Sequence, residues 1–303
     1  MESTGNYAMG IDVGGTKMAI GLVRNDGRLI ESSNLPTESV KGQKNAALRI
    51  RQCIKELLAS NHVDISDIRG LGVGCPGPLD LNSGVVLNPY TLSGWENESL
   101  VASLESVIEL PVRLENDADA ALLGECWVGA GKGRNPVVML TFGTGVGGSV
   151  MNGGKIYRGV DGEHPEIGLM PIFPDMPADY SGVNGSLESL ASGSGIAAQG
   201  KTFGFKDAAS IFEANNLQQP DAVRIVQNAI RAAGIAGWTV AHTFVPECIL
   251  LGGGLMDYHF EAYASSIRSH LDQANLIRKQ SISVLKAALG NQAGVFGAAS
   301  LWM

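Results

Sequence analysis

One local arrangement occurs twice along the chain. An apolar run ending in Asp12-Val13 meets Gly14-Gly15 and continues as Thr16-Lys17-Met18. A second run ending in Thr141-Phe142 meets Gly143-Thr144-Gly145 and continues as Val146-Gly147-Gly148. Glycine lets the chain reverse tightly and leaves backbone N–H groups uncovered. The surrounding patterns also repeat. Strands are predicted over 7–13 and 16–23, then near 28–35 after the hairpin signal Asn25-Asp26-Gly27. Ala47, Ile50, Ile54, Leu57 and Leu58 recur at helical spacing and predict a helix over 42–60. A strand at 69–75, a helix near 97–108 and a strand at 111–116 complete the block. The second block reads as strands at 137–142, 148–152 and 155–158, and helices at 187–199, 207–215 and 221–244. Strand 248–251, helix 257–273, strand 281–288 and helix 292–302 follow. The expected fold is α/β, a duplicated βββαβαβα unit forming two lobes with a central cleft. Domain boundaries of this kind favour ligand pockets. The lobes are placed at 1–117 plus 291–303 and at 118–290.

Composition excludes several alternatives. The 40 glycines in 303 residues exceed the ordinary share of ~7% but follow no collagen period and form no Gly/Ser tract. The net charge of −8 offers no electrostatic footprint for a nucleic-acid partner. The four cysteines, Cys53, Cys75, Cys126 and Cys248, form no CxxC pair and read as reduced, mostly buried thiols. No apolar run reaches the ~18 residues of a membrane span. The polar start, Met1 to Asn6, lacks the features of a secretory leader, so a cytoplasmic location is expected.

Gly143 to Gly148 satisfies G-x-G-x-x-G, but a strand and turn follow it rather than a helix, so a dinucleotide fold is rejected. No Walker-type phosphate loop is present. Three glycine turns, Gly14-Gly15-Thr16, Gly143 to Gly148 and Gly252-Gly253-Gly254, each follow an apolar strand and could cradle a phosphate chain with backbone N–H groups. Asp12, at the tip of the first strand, is placed to hold Mg²⁺ through water, or else to form the turn itself. Leu114-Glu115-Asn116-Asp117 ends a strand where a helix begins. Asn116 or Asp117 could serve as the N-cap, or Asp117 could be a general base beside an amide suited to a sugar hydroxyl.

Together these motifs resemble the ROK family of bacterial sugar kinases over nearly the whole chain. The match runs through Asp12 to Lys17, Gly74-Cys75-Pro76-Gly77, Gly94-Trp95, Glu115-Asn116-Asp117, Leu140 to Gly148, and Arg158-Gly159. It continues with Pro165 to Gly168, Leu187-Glu188, Ser192-Gly193, Gly252 to Gly254, Ala293-Gly294 and Gly297 to Ala299. The resemblance implies a two-lobed actin/hexokinase-like (ribonuclease H-like) fold, ATP with Mg²⁺ as donor and a hexose as acceptor. It implies that Asp117 takes the 6-hydroxyl proton and that Asn116, Glu166, Glu188 and Gly77 contact the sugar. Gly14, Gly15, Thr16 and Lys17, with Gly143, Thr144 and Gly145, would hold the donor phosphates, and Gly252, Gly253 and Gly254 would lie beside the nucleotide. The family further implies a homodimer.

Two departures stand out. Leu169 occupies the position of the family's sugar-touching, zinc-binding histidine. The stretch 174–186 contains none of the family's zinc cysteines, with Ser186 where the last would stand. No zinc is therefore expected. Structural zinc supplies folding energy, so other packing must replace it here. His164, in Glu163-His164-Pro165-Glu166, could swing toward the pocket but reads first as a solvated loop residue. Its neighbourhood is similar to the fructokinase-like branch of the family. Against an active kinase stand a catalytically impaired sugar sensor and a regulator, the latter opposed by the charge and by a first strand starting near residue 7.

Overall fold

The structure is a computed structural model that describes residues 5–176, 178, 182–273 and 282–303. The chain forms two compact units. The first comprises Met1–Lys132, Val160–Gly162 and Asn291–Met303; the second comprises Gly133–Gly159 and Glu163–Gly290.

The first unit begins with β1 (Tyr7–Val13), β2 (Lys17–Arg24), β3 (Leu29–Pro36) and α1 (Gln43–Ser60). It continues with β4 (Ile68–Cys75), the short strands β5 (Leu79–Asp80) and β6 (Val85–Val86), α2 (Leu100–Glu105), β7 (Val112–Asn116) and α3 (Asp117–Trp127). Its main sheet has the order β3-β2-β1-β4-β7. The first three strands pair antiparallel, and β1, β4 and β7 run parallel. α1 buries Ala46, Ala47, Ile50, Ile54, Leu57 and Leu58, the stripe its spacing predicts. α2 is shorter than expected: Ser99 caps it by accepting from Ala102 N at 3.2 Å.

The second unit holds β8 (Val137–Phe142), β9 (Val146–Asn152), β10 (Lys155–Ile156), α4 (Leu187–Ala191), α5 (Gly193–Gly200) and α6 (Ala208–Asn216). α7 (Pro220–Phe244), β11 (Cys248–Gly252), α8 (Met256–Asp272) and β12 (Ser283–Lys286) follow. Its sheet order is β10-β9-β8-β11-β12, the first unit's order repeated strand for strand. The helix expected over 187–199 is two helices, because the Ser192 hydroxyl accepts from Gly195 N at 2.9 Å and starts a new one. Residue 281 of the expected strand 281–288, and residues 1–4 of the leader reading, lie outside the described residues. Each unit has its own core, one around Met9, Ile11, Ile54 and Leu71, the other around Val138, Leu140, Ile249 and Tyr263. Among the described residues, no helix is long and apolar enough to cross a membrane.

α9 (Ala293–Ser300) returns to the first unit. It lies on β1 and β4, where a Cβ on Gly10 or Gly72 would collide with the carbonyls of Val295 and Ala298 at 2.0 and 1.8 Å. Its Gly297 sits against the Ala120 carbonyl of α3. This packing keeps α3 within the first unit, so that unit extends to Lys132 and not only to Asp117. The glycine excess is thus partly explained by backbone-to-backbone packing.

Candidate active site

In the first unit the predicted residues gather at the C-terminal ends of three parallel strands, where open α/β sheets bind ligands. Asp12 of β1 pairs with Gly74 of β4, and Cys75 of β4 pairs with Asn116 of β7. Asn116 is buried, and its side-chain oxygen accepts from Ala118 N at 2.9 Å and Asp119 N at 3.2 Å. Asn116 is therefore the cap of α3. Asp117 follows as its first residue, with Oδ1 accepting from Ala118 N at 2.8 Å.

Asp12 and Asp117 share this edge. The Asp12 carboxyl is pushed up to about 6, chiefly by burial and then by the Asp117 charge, with Lys17 opposing. Burial, and after it the same two acids, push the Cys75 thiol well above its usual range. Two carboxylates that feel each other's charge suit a hydrated hard divalent cation, which relieves their repulsion. Among the described residues, no group of three or more His, Cys, Asp and Glu is placed to hold a metal. Mg²⁺ characteristically keeps most of its waters and uses one or two carboxylates.

The turn after β1 is closed by Gly14 N donating to Lys17 O at 2.9 Å. The buried Thr37 hydroxyl donates to Gly14 O at 2.5 Å. Thr16 and Lys17 are exposed. Sequence reasoning missed Asn88. It is buried, and its Nδ2 donates to Gly77 O at 2.8 Å, Pro76 O at 3.3 Å and Thr91 Oγ1 at 2.8 Å. Its Oδ1 accepts from Tyr90 N and Thr91 N at 2.9 and 3.0 Å. A Cβ on Gly15 would meet Thr91 O at 3.4 Å, so this loop connects Gly77 to the Gly14-Gly15 turn. Trp95 is core and Tyr90 is exposed.

In the second unit, Gly143 N donates to Gly145 O at 2.9 Å, closing the turn between β8 and β9. The glycines after β11 lie at the same sheet edge, since β11 pairs with β8 through Gly252 and Thr141. Gly253 has φ +88°, and a Cβ there would stand 2.4 Å from Phe142 O. Leu255 N donates to that same carbonyl at 3.0 Å. A Cβ on Gly143 or Gly254 would meet nothing within 4 Å, so both turns present open backbone. Glu188, in the first turn of α4, accepts from Val146 N at 2.8 Å.

Glu166 is mostly exposed and precedes a single helical turn, 167–169. That turn packs on β9: a Cβ on Gly168 would stand 2.1 Å from Val146 O, and one on Gly148 would meet Ile167. His164 is not a solvated loop residue. Its side chain is 16% exposed, and Nε2 lies 3.5 Å from Glu166 Oε1. Leu169 is half-buried. Beyond it, Met170, Ile172, Phe173 and Met176 pack against the second core. Ile172 and Phe173 donate N–H groups to Gly185 O at 2.8 and 3.1 Å, and Arg231 lies 5.2 Å above the Phe173 ring. Apolar packing and backbone bonds thus tie down the segment where the resemblance would place zinc. Residues 177 and 179–181 lie outside the described residues.

The sequence model of the ROK family matches residues 8–303. A glucokinase of Halalkalibacterium halodurans is 31% identical over 309 residues, covering 96% of this chain and 93% of its own. The crystal structure of a ROK hexokinase from Thermus thermophilus superposes with a TM-score of 0.86 at 31% identity, covering 97% of each chain. A ROK family glucokinase from Streptomyces griseus, solved with glucose and AMPPNP, gives 0.76 at 30% identity over 97% of this chain and 98% of its own. The chain belongs to the ROK family and has its actin-like two-unit fold.

Proposed function

We propose that the protein is an ATP-dependent hexose kinase acting on the 6-hydroxyl, with glucose the first acceptor to test and fructose, mannose and N-acetylhexosamines as alternatives. The observation that carries this reading is the placement of Asp117. It opens α3 at a sheet edge, beside Asp12 and Asn116, where a carboxylate can accept a proton from a bound hydroxyl. The similarity to a glucokinase and to a structure holding glucose and AMPPNP supports both the acceptor class and the donor.

In this mechanism Asn116 Nδ2, Gly77, Glu166 and Glu188 hold the sugar. Its 6-hydroxyl proton passes to Asp117 as the oxygen bonds to the γ-phosphorus. The bond from that phosphorus to the bridging oxygen breaks, and ADP leaves with the electron pair. Gly14 and Gly143 hold the two turns closed, and Gly15 and Thr16, with Thr144 and Gly145, offer backbone N–H groups and Lys17 a cation to the transferred charge. Gly252, Gly253 and Gly254 flank the nucleotide. Mg²⁺, when bound, would neutralise phosphate charge, with Asp12 holding it through water. Zinc has no part in this reading, which also takes the enzyme as a cytoplasmic homodimer without nucleic-acid or membrane partners.

The test is ADP release from Mg-ATP across a panel of glucose, mannose, fructose, allose, N-acetylglucosamine and N-acetylmannosamine, with Asp117→Asn alongside. Turnover with one sugar, abolished in the variant, supports the reading. A folded protein without turnover on any of them overturns it.

A further inference from the structure

The kinase reading assigns Glu188 to the acceptor, yet its carboxylate is seated on the donor side. Oε2 accepts from Val146 N at 2.8 Å. A Cβ on Gly145 would stand 2.4 Å from the same oxygen and 3.2 Å from Cδ, so the acid presses Oε2 against the turn where glycine leaves room. Residues just beyond Glu188 grip the same turn. Gly193 N donates to Gly143 O at 2.8 Å. Ser194 donates to Thr144 O twice, from N at 3.1 Å and from Oγ at 2.6 Å. Segment 188–194 thus holds Gly143, Thr144 and Val146 at once, and Glu188 supplies the charged tie, a stronger class of hydrogen bond.

We infer that Glu188 is a positioning residue for the donor-phosphate turn, and that through it the acceptor and donor sites are coupled. The inference rests on the kinase reading for the acceptor contact and on geometry for the turn. A sugar hydroxyl donating to this carboxylate alters the group that anchors Val146. Whatever affinity one ligand gains from the other must be returned reciprocally. A purely acceptor-binding Glu188 would leave nucleotide affinity indifferent to its removal when no sugar is present.

The experiment measures AMPPNP affinity calorimetrically, with Mg²⁺ and without sugar, for the wild type, Glu188→Ala, Glu188→Gln and Gly145→Ala. Thermal melting serves as a control for folding. Glu188→Ala is expected to bind about tenfold more weakly, the loss of one charge-assisted hydrogen bond. Glu188→Gln keeps an oxygen for Val146 N–H and is expected to stay within about threefold of the wild type. Gly145→Ala pushes the carboxylate off the turn while retaining it, and should match the alanine variant. If Glu188→Ala melts early, the other two variants decide. Wild-type AMPPNP affinity in both Glu188→Ala and Gly145→Ala overturns the inference, even if the sugar KM rises. A wild type that binds AMPPNP but shows no hexose-dependent ADP release overturns the kinase reading instead, leaving the turn role to these affinities.

Discussion

Gly294 of α9 leaves no room for a side chain beside Asp12: a Cβ there would stand 2.5 Å from the carboxylate carbon and 2.8 Å from each oxygen. A residue 282 positions away in sequence thereby sets where the Asp12 carboxylate can sit. Gly294→Ala should lower kcat about a hundredfold by displacing that acid and destabilise the protein by about 1–3 kcal/mol through overpacking. Steady-state kinetics and urea unfolding measure both effects. Unchanged kcat would show that Asp12 can move without consequence.

Asp12 itself gives a prediction with a definite sign. Folding raises its carboxyl from 3.8 to about 6. The ionised form is therefore disfavoured in the folded state, with no penalty below the unfolded value and a full penalty above about 6. Asp12→Asn should gain as much as about 3 kcal/mol of stability at pH 8 and nearly none at pH 3. Its activity should be lost at both. In the wild type, Mg-ATP affinity should fall as pH drops through about 6, where Asp12 takes up a proton. Chemical denaturation of both proteins across this range checks the first claim, and nucleotide titrations check the second.

Asp117→Asn preserves shape and removes the base proposed above. Its kcat should drop about 10²–10⁴-fold with the sugar KM little altered, as a group used in the transition state requires. Near-normal turnover would remove Asp117 from the mechanism.

Asn88 is buried with its amide donors and carbonyl oxygen both engaged. Asn88→Ala would leave several of these partners unpaired and should cost about 2–3 kcal/mol. Asn88→Asp keeps the acceptor but loses the donors to Gly77 O, and should raise the sugar KM more than the ATP KM. Equal shifts in both constants would argue that the loop does not serve the acceptor.

EDTA should leave the melting temperature unchanged in the absence of Mg²⁺ and nucleotide, because Met170, Ile172, Phe173 and Met176 secure the segment after Glu166. Phe173→Ala should lower stability by about 1–3 kcal/mol. One equivalent of zinc per chain by elemental analysis would refute the zinc-free reading.

Much of this architecture was legible because local signals agreed. Apolar runs broken by Gly14-Gly15, Gly143 to Gly145 and Gly252 to Gly254 marked strand ends and turns, and the repeated order implied the repeated sheet. Asn116 illustrates the limit. Its place before a helix fitted two roles, and only the bonds to Ala118 and Asp119 show that its oxygen serves the cap. Asn88, Ser194 and Gly294 were illegible for a different reason. Their partners at Gly77, Thr144 and Asp12 lie 11, 50 and 282 residues away, and no periodicity reports such pairings. His164 was misread because loop position suggested solvent, whereas its side chain is mostly buried and its Nε2 lies beside Glu166.

The return of α9 to the first unit bears on how the chain is made. Its backbone closes on Gly10, Gly72 and Ala120, which precede it by more than 170 residues, and all of β8 to β12 lies between. As the chain leaves the ribosome, the second unit can complete its core while the first still has an uncovered glycine-lined sheet face. The half bearing Asp12 and Asp117 would then be finished last, so a stalled or shortened chain should be a target for chaperones and proteases before it is a catalyst.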